Sequence, residues 1–280
     1  MAAIHRALFV AMLMASARAN DMVASLKAAY EDKGSVTSSE VAVPGLPSPV
    51  RYLRAGPSDA KCVVILLHGL AFRAETWKWV GTLDALGDTG QLAIALDLPS
   101  YSGQYADDGV RERLLADFVK AMGWSDRKVV VVAASMGGTV GAPFVLAHPN
   151  TVAGYVSVSA QLDPRQSKSD VPALLVWGEH DDPSSAKAQA HIGCFRSHQL
   201  VVVKDAPHPA YLKEPSFFNA LVANFAKGSA SDRGAAKDDA DGKLGIRAHW
   251  LRRLKGESED ELRWSGRPVG RLVAPDRRMA

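Results

Sequence analysis

Four short stretches of this sequence carry residue types that could do nucleophilic chemistry, and they occur in a fixed order. The first is Ala133-Ala134-Ser135-Met136-Gly137-Gly138, which follows an apolar run and opens a segment of helical composition. A serine on a sharp strand-to-helix turn needs small residues two before and two after it, because backbone and helix approach too closely for larger side chains. Ala133 and Gly137 meet that need, so Ser135 is a candidate nucleophile. Alone, the same stretch could be a helix cap or a phosphate-binding turn. The second stretch, His68-Gly69-Leu70-Ala71, also follows an apolar run. There the backbone N–H of Leu70, together with that of Met136, is placed to receive a developing oxyanion. His68 is read as a structural hydrogen-bonding residue of that loop rather than as a base.

The third and fourth stretches supply an acid and a base. Gly178-Glu179-His180-Asp181-Asp182-Pro183 offers Asp181 as the acid, with the adjacent Asp182 as the alternative and an ordinary Asp-rich turn as the plain reading of either. Ala206-Pro207-His208-Pro209 places His208 where it could take the Ser135 proton while the acid holds its other ring nitrogen. The chain order is Ser, acid, His. A metal site built from His180, Asp181, His191 and His198 fails on ligand spacing, and no metal is expected.

These residues need a scaffold that brings separate segments to one edge. Short apolar runs at Val63 to Leu67, Gln91 to Leu96, Val129 to Ala133, Val152 to Val158, Ala173 to Trp177 and Leu200 to Val203 read as strands. Several are apolar at every position, as parallel strands buried on both faces are. Between or after them, Thr76 to Leu86, Val110 to Met122, Gly137 to Ala147, Ser184 to Ile192 and Pro215 to Lys227 read as helices. The alternation implies an α/β architecture, a mostly parallel central sheet with helices on both faces. Val41 to Val43 and Tyr52 suggest antiparallel edge strands around the Pro-rich stretch Pro44 to Pro49. Only a short polar connection, Ser159 to Asp170, joins two of the strands, so no large lid is expected. Asp97 is expected to tether the following loop, Pro99-Ser100-Tyr101-Ser102-Gly103. Trp77 and Trp79 are expected to pack in the core or at its rim.

Bulk properties narrow the partners. Thirty-three Lys and Arg nearly balance thirty Asp and Glu across 280 residues, which excludes a polyanion-binding surface as the main feature and with it nucleic acid. Two cysteines, Cys62 and Cys194, have no disulfide or zinc-ligand spacing and read as small buried hydrophobes. Residues 1–19 have a cationic start, an apolar run from Ala7 to Ala15 and an Ala-Arg-Ala end, the outline of a signal or transit segment. Cleavage there would make the protein secretory or organellar, and retention cytoplasmic. That run is shorter than the roughly 20 residues a span requires, so no stable membrane span is expected. Residues 20–227 form the expected domain. Residues 228–280 read as a Gly, Ala, Ser and Asp linker followed by a charged, flexible tail with Trp250, Leu251 and Leu254 among Arg252, Arg253 and Lys255. A monomer is the expected state.

At these residues the sequence resembles the α/β-hydrolase domain-containing protein 14 group, part of the α/β-hydrolase superfamily. The likeness rests on Leu66-Leu67-His68-Gly69 with Phe72, Glu75-Thr76-Trp77, Gly81-Thr82-Leu83, Ala95-Leu96-Asp97-Leu98-Pro99, Pro172-Ala173-Leu174, and His208-Pro209 with Tyr211-Leu212. Together these cover about Cys62 to Lys227. The resemblance implies the α/β-hydrolase fold and a hydrolase of small acyl esters or acyl amides, with esterase and lysine deacylase activity. It implies a small acyl ester or an acylated protein as substrate, and no cofactor beyond coenzyme A as an acyl acceptor. The family's functional positions fall on Ser135, Asp181 and His208. The sequence departs from the group at Ala133 and Gly137, where the family elbow has Ser, at Pro207 in place of Gly, and at Ala210 in place of Cys. The competing reading is a non-catalytic scaffold on the same fold. Dehalogenase or epoxide hydrolase chemistry would require Asp at position 135.

Overall fold

The apolar runs do form strands, and their alternation explains how the sheet is buried. A computed structural model describes residues 19–99, 108–160, 169–182, 191–230 and 271–273, with side chains undescribed at 108 and 271–273. The strands among the described residues are β1 (Thr37–Val41), β2 (Val50–Ala55), β3 (Cys62–Leu67), β4 (Leu92–Leu96), β5 (Lys128–Ala134), β6 (Val152–Val158), β7 (Ala173–Gly178), β8 (His198–Val203) and β9 (Arg271–Val273). They make one sheet in the order β1-β2-β4-β3-β5-β6-β7-β8-β9. β2 runs antiparallel to both β1 and β4, and every other pair is parallel.

Along β3, Val64 and Leu66 belong to one buried cluster and Val63, Ile65 and Leu67 to the other. This two-residue period with apolar side chains on both faces is the signature of a sheet covered twice. The first face carries the helix at residues 19–29 (α1), then α2 (Ala74–Trp79), α3 (Thr82–Asp88) and α6 (Pro215–Ala230). The second carries α4 (Asp108–Ala121) and α5 (Gly138–Ala147). Trp77 lies wholly buried on the first face, its ring 4.9 Å from Tyr211 and 6.1 Å from Phe218. Trp79 is half-buried, with the Lys27 ammonium 5.1 Å above its ring, so Trp77 packs in the core and Trp79 at its rim.

Three elements differ from the expected pattern. The single helix expected over Thr76 to Leu86 is two, α2 and α3, because Gly81 adopts φ 80° and turns the chain between them. Glycine takes that conformation without the Cβ clash other residues suffer. Asn219 of α6 supports the break: its Nδ2 donates to the Val80 carbonyl (2.8 Å) and its Oδ1 accepts from Thr82 Oγ1 (2.7 Å). Second, α6 continues to Ala230, and Arg271–Val273, within the segment read as a tail, pair with β8. Third, Ala19, the end of the candidate leader, is helical and buried against the first face. The segment after α1 is also held, since Tyr30 Oη (2.9 Å) and Ser35 Oγ both donate to the Asp84 carboxylate.

Cys62 and Cys194 are both buried, as expected. No described helix is long and apolar enough to cross a membrane. The leader before residue 19, the Trp250 patch, most of the expected helix Ser184 to Ile192, and residues 161–168 of the connection read as lidless lie outside the described residues.

Candidate active site

All four chemistry-bearing stretches follow parallel strands and meet at the carboxyl edge of the sheet. β5 ends at Ala134, and Ser135 takes φ 47°, a left-handed conformation that costs a non-glycine residue on the order of 1–3 kcal/mol. The chain then makes a 3₁₀ turn over Ser135–Gly137 and enters α5. The turn lies so close to β3 that a Cβ on Gly137 would stand 2.7 Å from the Leu67 carbonyl oxygen and 2.9 Å from Leu67 Cβ. This is the physical reason for a small residue two after the serine.

The acid and base loops are joined as tightly. A Cβ on Gly178 would stand 2.1 Å from the Pro207 carbonyl oxygen and 2.5 Å from that of Ala206. Across this contact the His180 N–H donates to the Ala206 carbonyl (3.0 Å), and the Asp205 N–H donates to the Glu179 carboxylate (3.0 Å). Beyond His208, Tyr211 is wholly buried among Trp77, Phe72 and Phe218, which anchors the base loop to the first face of the sheet.

His208 stands between the other two groups. Its Nδ1 is 2.8 Å from Asp181 Oδ2 and its Nε2 is 2.7 Å from Ser135 Oγ. A carboxylate can only accept, so Nδ1 carries the hydrogen and Nε2 is left to accept from the serine hydroxyl. Asp181 rather than Asp182 therefore meets the imidazole; Asp182 takes φ 44° and turns the chain away. The Asp181 side chain is 24% exposed and that of His208 47%, so the histidine faces the solvent side of the array.

The loop after β3 lies against the serine: a Cβ on Gly69 would be 3.5 Å from Ser135 Cβ. Leu70 follows on this loop with its side chain 67% exposed, and Met136 is buried behind the serine. His68 occupies the structural place expected of it. Leu98 N–H donates to its Nε2 (2.9 Å), and its Nδ1 lies 2.8 Å from the Gly69 carbonyl, to which it donates. Burial holds the ring below its ordinary pKa and so in the neutral form that this pair of bonds requires.

Asp97 joins three elements at the end of β4. Its Oδ1 accepts from the Ala74 N–H at the start of α2 (2.9 Å), and its Oδ2 pairs with Arg51 Nη1 (2.5 Å), which also reaches Glu75 (2.7 Å). It thus ties the end of β4 to β2 and α2. Only its strand-end position was visible in the sequence, not its partners; residues 100–107 of the loop it was expected to tether lie outside the described residues.

The histidines of the discarded metal set are dispersed. His191 is buried beside Tyr155, Trp177 and Phe195, and His198 Nδ1 donates to the Phe195 carbonyl (2.8 Å). His180 instead approaches Asp205 at 4.0 Å, next to Glu179.

Comparison with known proteins agrees with this architecture. Residues 64–277 match the model of the alpha/beta hydrolase family. Protein ABHD14A of Danio rerio is 30% identical over 200 residues, covering 65% of this chain and 73% of that protein. The putative protein-lysine deacylase ABHD14B of Pongo abelii is 30% identical over 188 residues, covering 64% of this chain and 89% of its own. Among solved structures, carboxylesterase CesB of Bacillus subtilis superposes with a TM-score of 0.58 at 18% identity, over 77% of this chain and 99% of that one, a likeness of fold. The strand order, the strand-end loops and these matches together make the chain a member of the alpha/beta hydrolase family, similar within it to the ABHD14 proteins.

Proposed function

We propose that the protein is a serine hydrolase that cleaves small acyl esters or acyl amides through an acyl-enzyme on Ser135. The observation that carries this reading is the continuous hydrogen-bonded line from Ser135 Oγ through His208 to Asp181, at 2.7 and 2.8 Å. A serine hydroxyl is a weak nucleophile, and a base in contact with its oxygen is what activates it.

Ser135 Oγ attacks the acyl carbon as its proton passes to His208 Nε2, and Asp181 stabilises the imidazolium that results. The oxygen that becomes negative is received by the backbone N–H groups of Leu70 and Met136, a donor pair in which one member typically accounts for about 10²–10³ in turnover. Collapse of the intermediate expels the alcohol or amine, which takes the His208 proton, and leaves the acyl group on Ser135 Oγ. Water then attacks that ester, giving its proton to His208, and the carboxylic acid departs with Ser135 restored. Beside Met136 lies a small, mainly apolar crevice lined by Leu98, Pro99, Val110, Arg111, Leu114 and Val140.

The deacylase element of the reading comes from the name carried by the ABHD14B relatives, and the esterase element from the reactivity any such acyl-enzyme has toward activated esters. The test is hydrolysis of p-nitrophenyl acetate and of acetyl-lysine peptides by wild type and by Ser135→Ala, with and without coenzyme A. Wild-type turnover that Ser135→Ala abolishes supports the mechanism, and acetyl-coenzyme A formation would identify the thiol as acceptor. A wild type inert toward every substrate and toward serine-directed probes would favour the scaffold reading instead.

A further inference from the structure

Only four non-glycine residues among those described adopt positive φ, and they form a pattern: Ser135 (47°), Ser159 (46°), Asp182 (44°) and Asp205 (53°). Each lies just beyond the carboxyl end of one of four consecutive parallel strands, β5, β6, β7 and β8 respectively. Three of the four belong to the loops that carry Ser135, Asp181 and His208. Ser159, after β6, is the member without a role.

Its position is set by the sheet. β6 lies between β5 and β7, and Val158 pairs with both Ala134 and Val176, so Ser159 is level with Ser135. The Ser159 N–H is fixed to the Val176 carbonyl (3.0 Å). Neighbouring strands are about 4.8 Å apart, so the line from Ser135 to Asp181, which joins the ends of β5 and β7, crosses the end of β6. The imidazole of His208 bonds the groups at both ends of that line.

Two features of Ser159 are unfavourable for folding. Its left-handed backbone is strained, and its side-chain oxygen is buried with no hydrogen-bond partner. Glycine would remove both costs. A buried dipole unsatisfied at rest is what a site requires if its partner is a charge that exists only during the reaction.

We propose that Ser159 is a positioning residue acting through His208, its hydroxyl dipole held at the end of β6 for the positive charge that forms on the imidazole when it takes the Ser135 proton. This rests on the serine hydrolase reading above. Loss of the hydroxyl leaves substrate binding intact and makes the imidazolium harder to form. The other titratable groups on the described flanking loops are Asp181, which already holds Nδ1, Asp182, Lys204, and Glu179, His180 and Asp205, which approach one another.

The test is Ser159→Gly, assayed for thermal stability, kcat, KM and the pH profile of kcat/KM on p-nitrophenyl acetate, beside Ser159→Asn and Ser135→Ala. Ser159→Gly is expected to melt no lower than wild type, to lose about tenfold in kcat, below the effect of an oxyanion donor, with KM within about twofold. Its acid limb should move to lower pH, because the protonated imidazole has lost a stabilising dipole. Ser159→Asn, which tolerates positive φ and supplies a carbonyl dipole, should recover part of kcat. Wild-type kcat in Ser159→Gly, or a loss of kcat with an unmoved acid limb, overturns the proposal. An inactive Ser135→Ala beside an unaffected Ser159→Gly removes the role of Ser159 alone, whereas an active Ser135→Ala removes the reading beneath it.

Discussion

Gly178→Ala probes the contact between the acid and base loops without touching any group in the proton line. The added Cβ would stand 2.1 Å from the Pro207 carbonyl oxygen, 2.5 Å from that of Ala206 and 2.9 Å from the Pro207 carbonyl carbon. All three atoms are backbone, so no side chain can swing aside, and the loops must part by roughly 1 Å to reach a tolerable contact. Asp181 and His208 sit on opposite sides of that gap, joined at 2.8 Å. A separation of that size stretches the bond beyond useful length, and a misplacement of about 1 Å in a reacting array costs on the order of 10² in rate. Overpacking adds about 1–3 kcal/mol of destabilisation. At roughly 2–4 °C per kcal/mol for a domain of this size, the melting temperature should fall by about 2–12 °C. The assay is p-nitrophenyl acetate hydrolysis at a temperature where circular dichroism shows the variant folded. A Gly178→Ala protein with wild-type kcat would refute the idea that this contact sets the distance between acid and base.

Asp181→Asn should lower kcat by about 10³–10⁴, since an amide favours the wrong imidazole tautomer, while Asp182→Asn stays within tenfold; the reverse ranking would reassign the acid. His68 is held neutral in the fold but gains a proton when unfolded below its ordinary pKa of 6.5, so its contribution is intact above that pH and lost as the pH falls. Chemical denaturation between pH 7 and pH 5 should therefore show a shallower loss for His68→Gln than for wild type, by up to about 1.4 kcal/mol per pH unit, and parallel curves would contradict this. Burial pushes the Cys62 thiol up to about 11, and Cys194 is buried too, so neither should react with iodoacetamide at pH 8 until the protein is unfolded. Stoichiometric native alkylation of Cys62 would show the packing around β3 to be wrong.

What could be read from the sequence was what depends on local pattern. The all-apolar runs at Val63 to Leu67 and Val129 to Ala133 announced strands buried on both faces, and the small residues around Ser135 announced a tight turn. Geometry between distant segments was not legible. Asp181 and Asp182 are neighbours of identical chemistry, and the choice between them falls to the left-handed turn at Asp182 and the close approach at Gly178. The break at Gly81 was hidden because apolar spacing continues across it, and it is held from the far end of the chain by Asn219. α1 adjoins the leader-like segment, and its apolar residues do not stand out from that composition. Three residues of β9 are too few to stand out from a polar tail. Ser159 carries no signal at all, since its strain and its unpartnered hydroxyl exist only once β6 is set between β5 and β7.

The central claim is that Ser135 is a nucleophile activated by His208. The most direct measurement is intact-mass analysis after treatment with a fluorophosphonate probe, followed by digestion to locate the modified peptide. Wild type should gain the mass of one phosphonyl group on the peptide that contains Ser135, and Ser135→Ala should gain none. Labelling elsewhere, labelling that persists in Ser135→Ala, or a folded wild type that does not react would contradict the account.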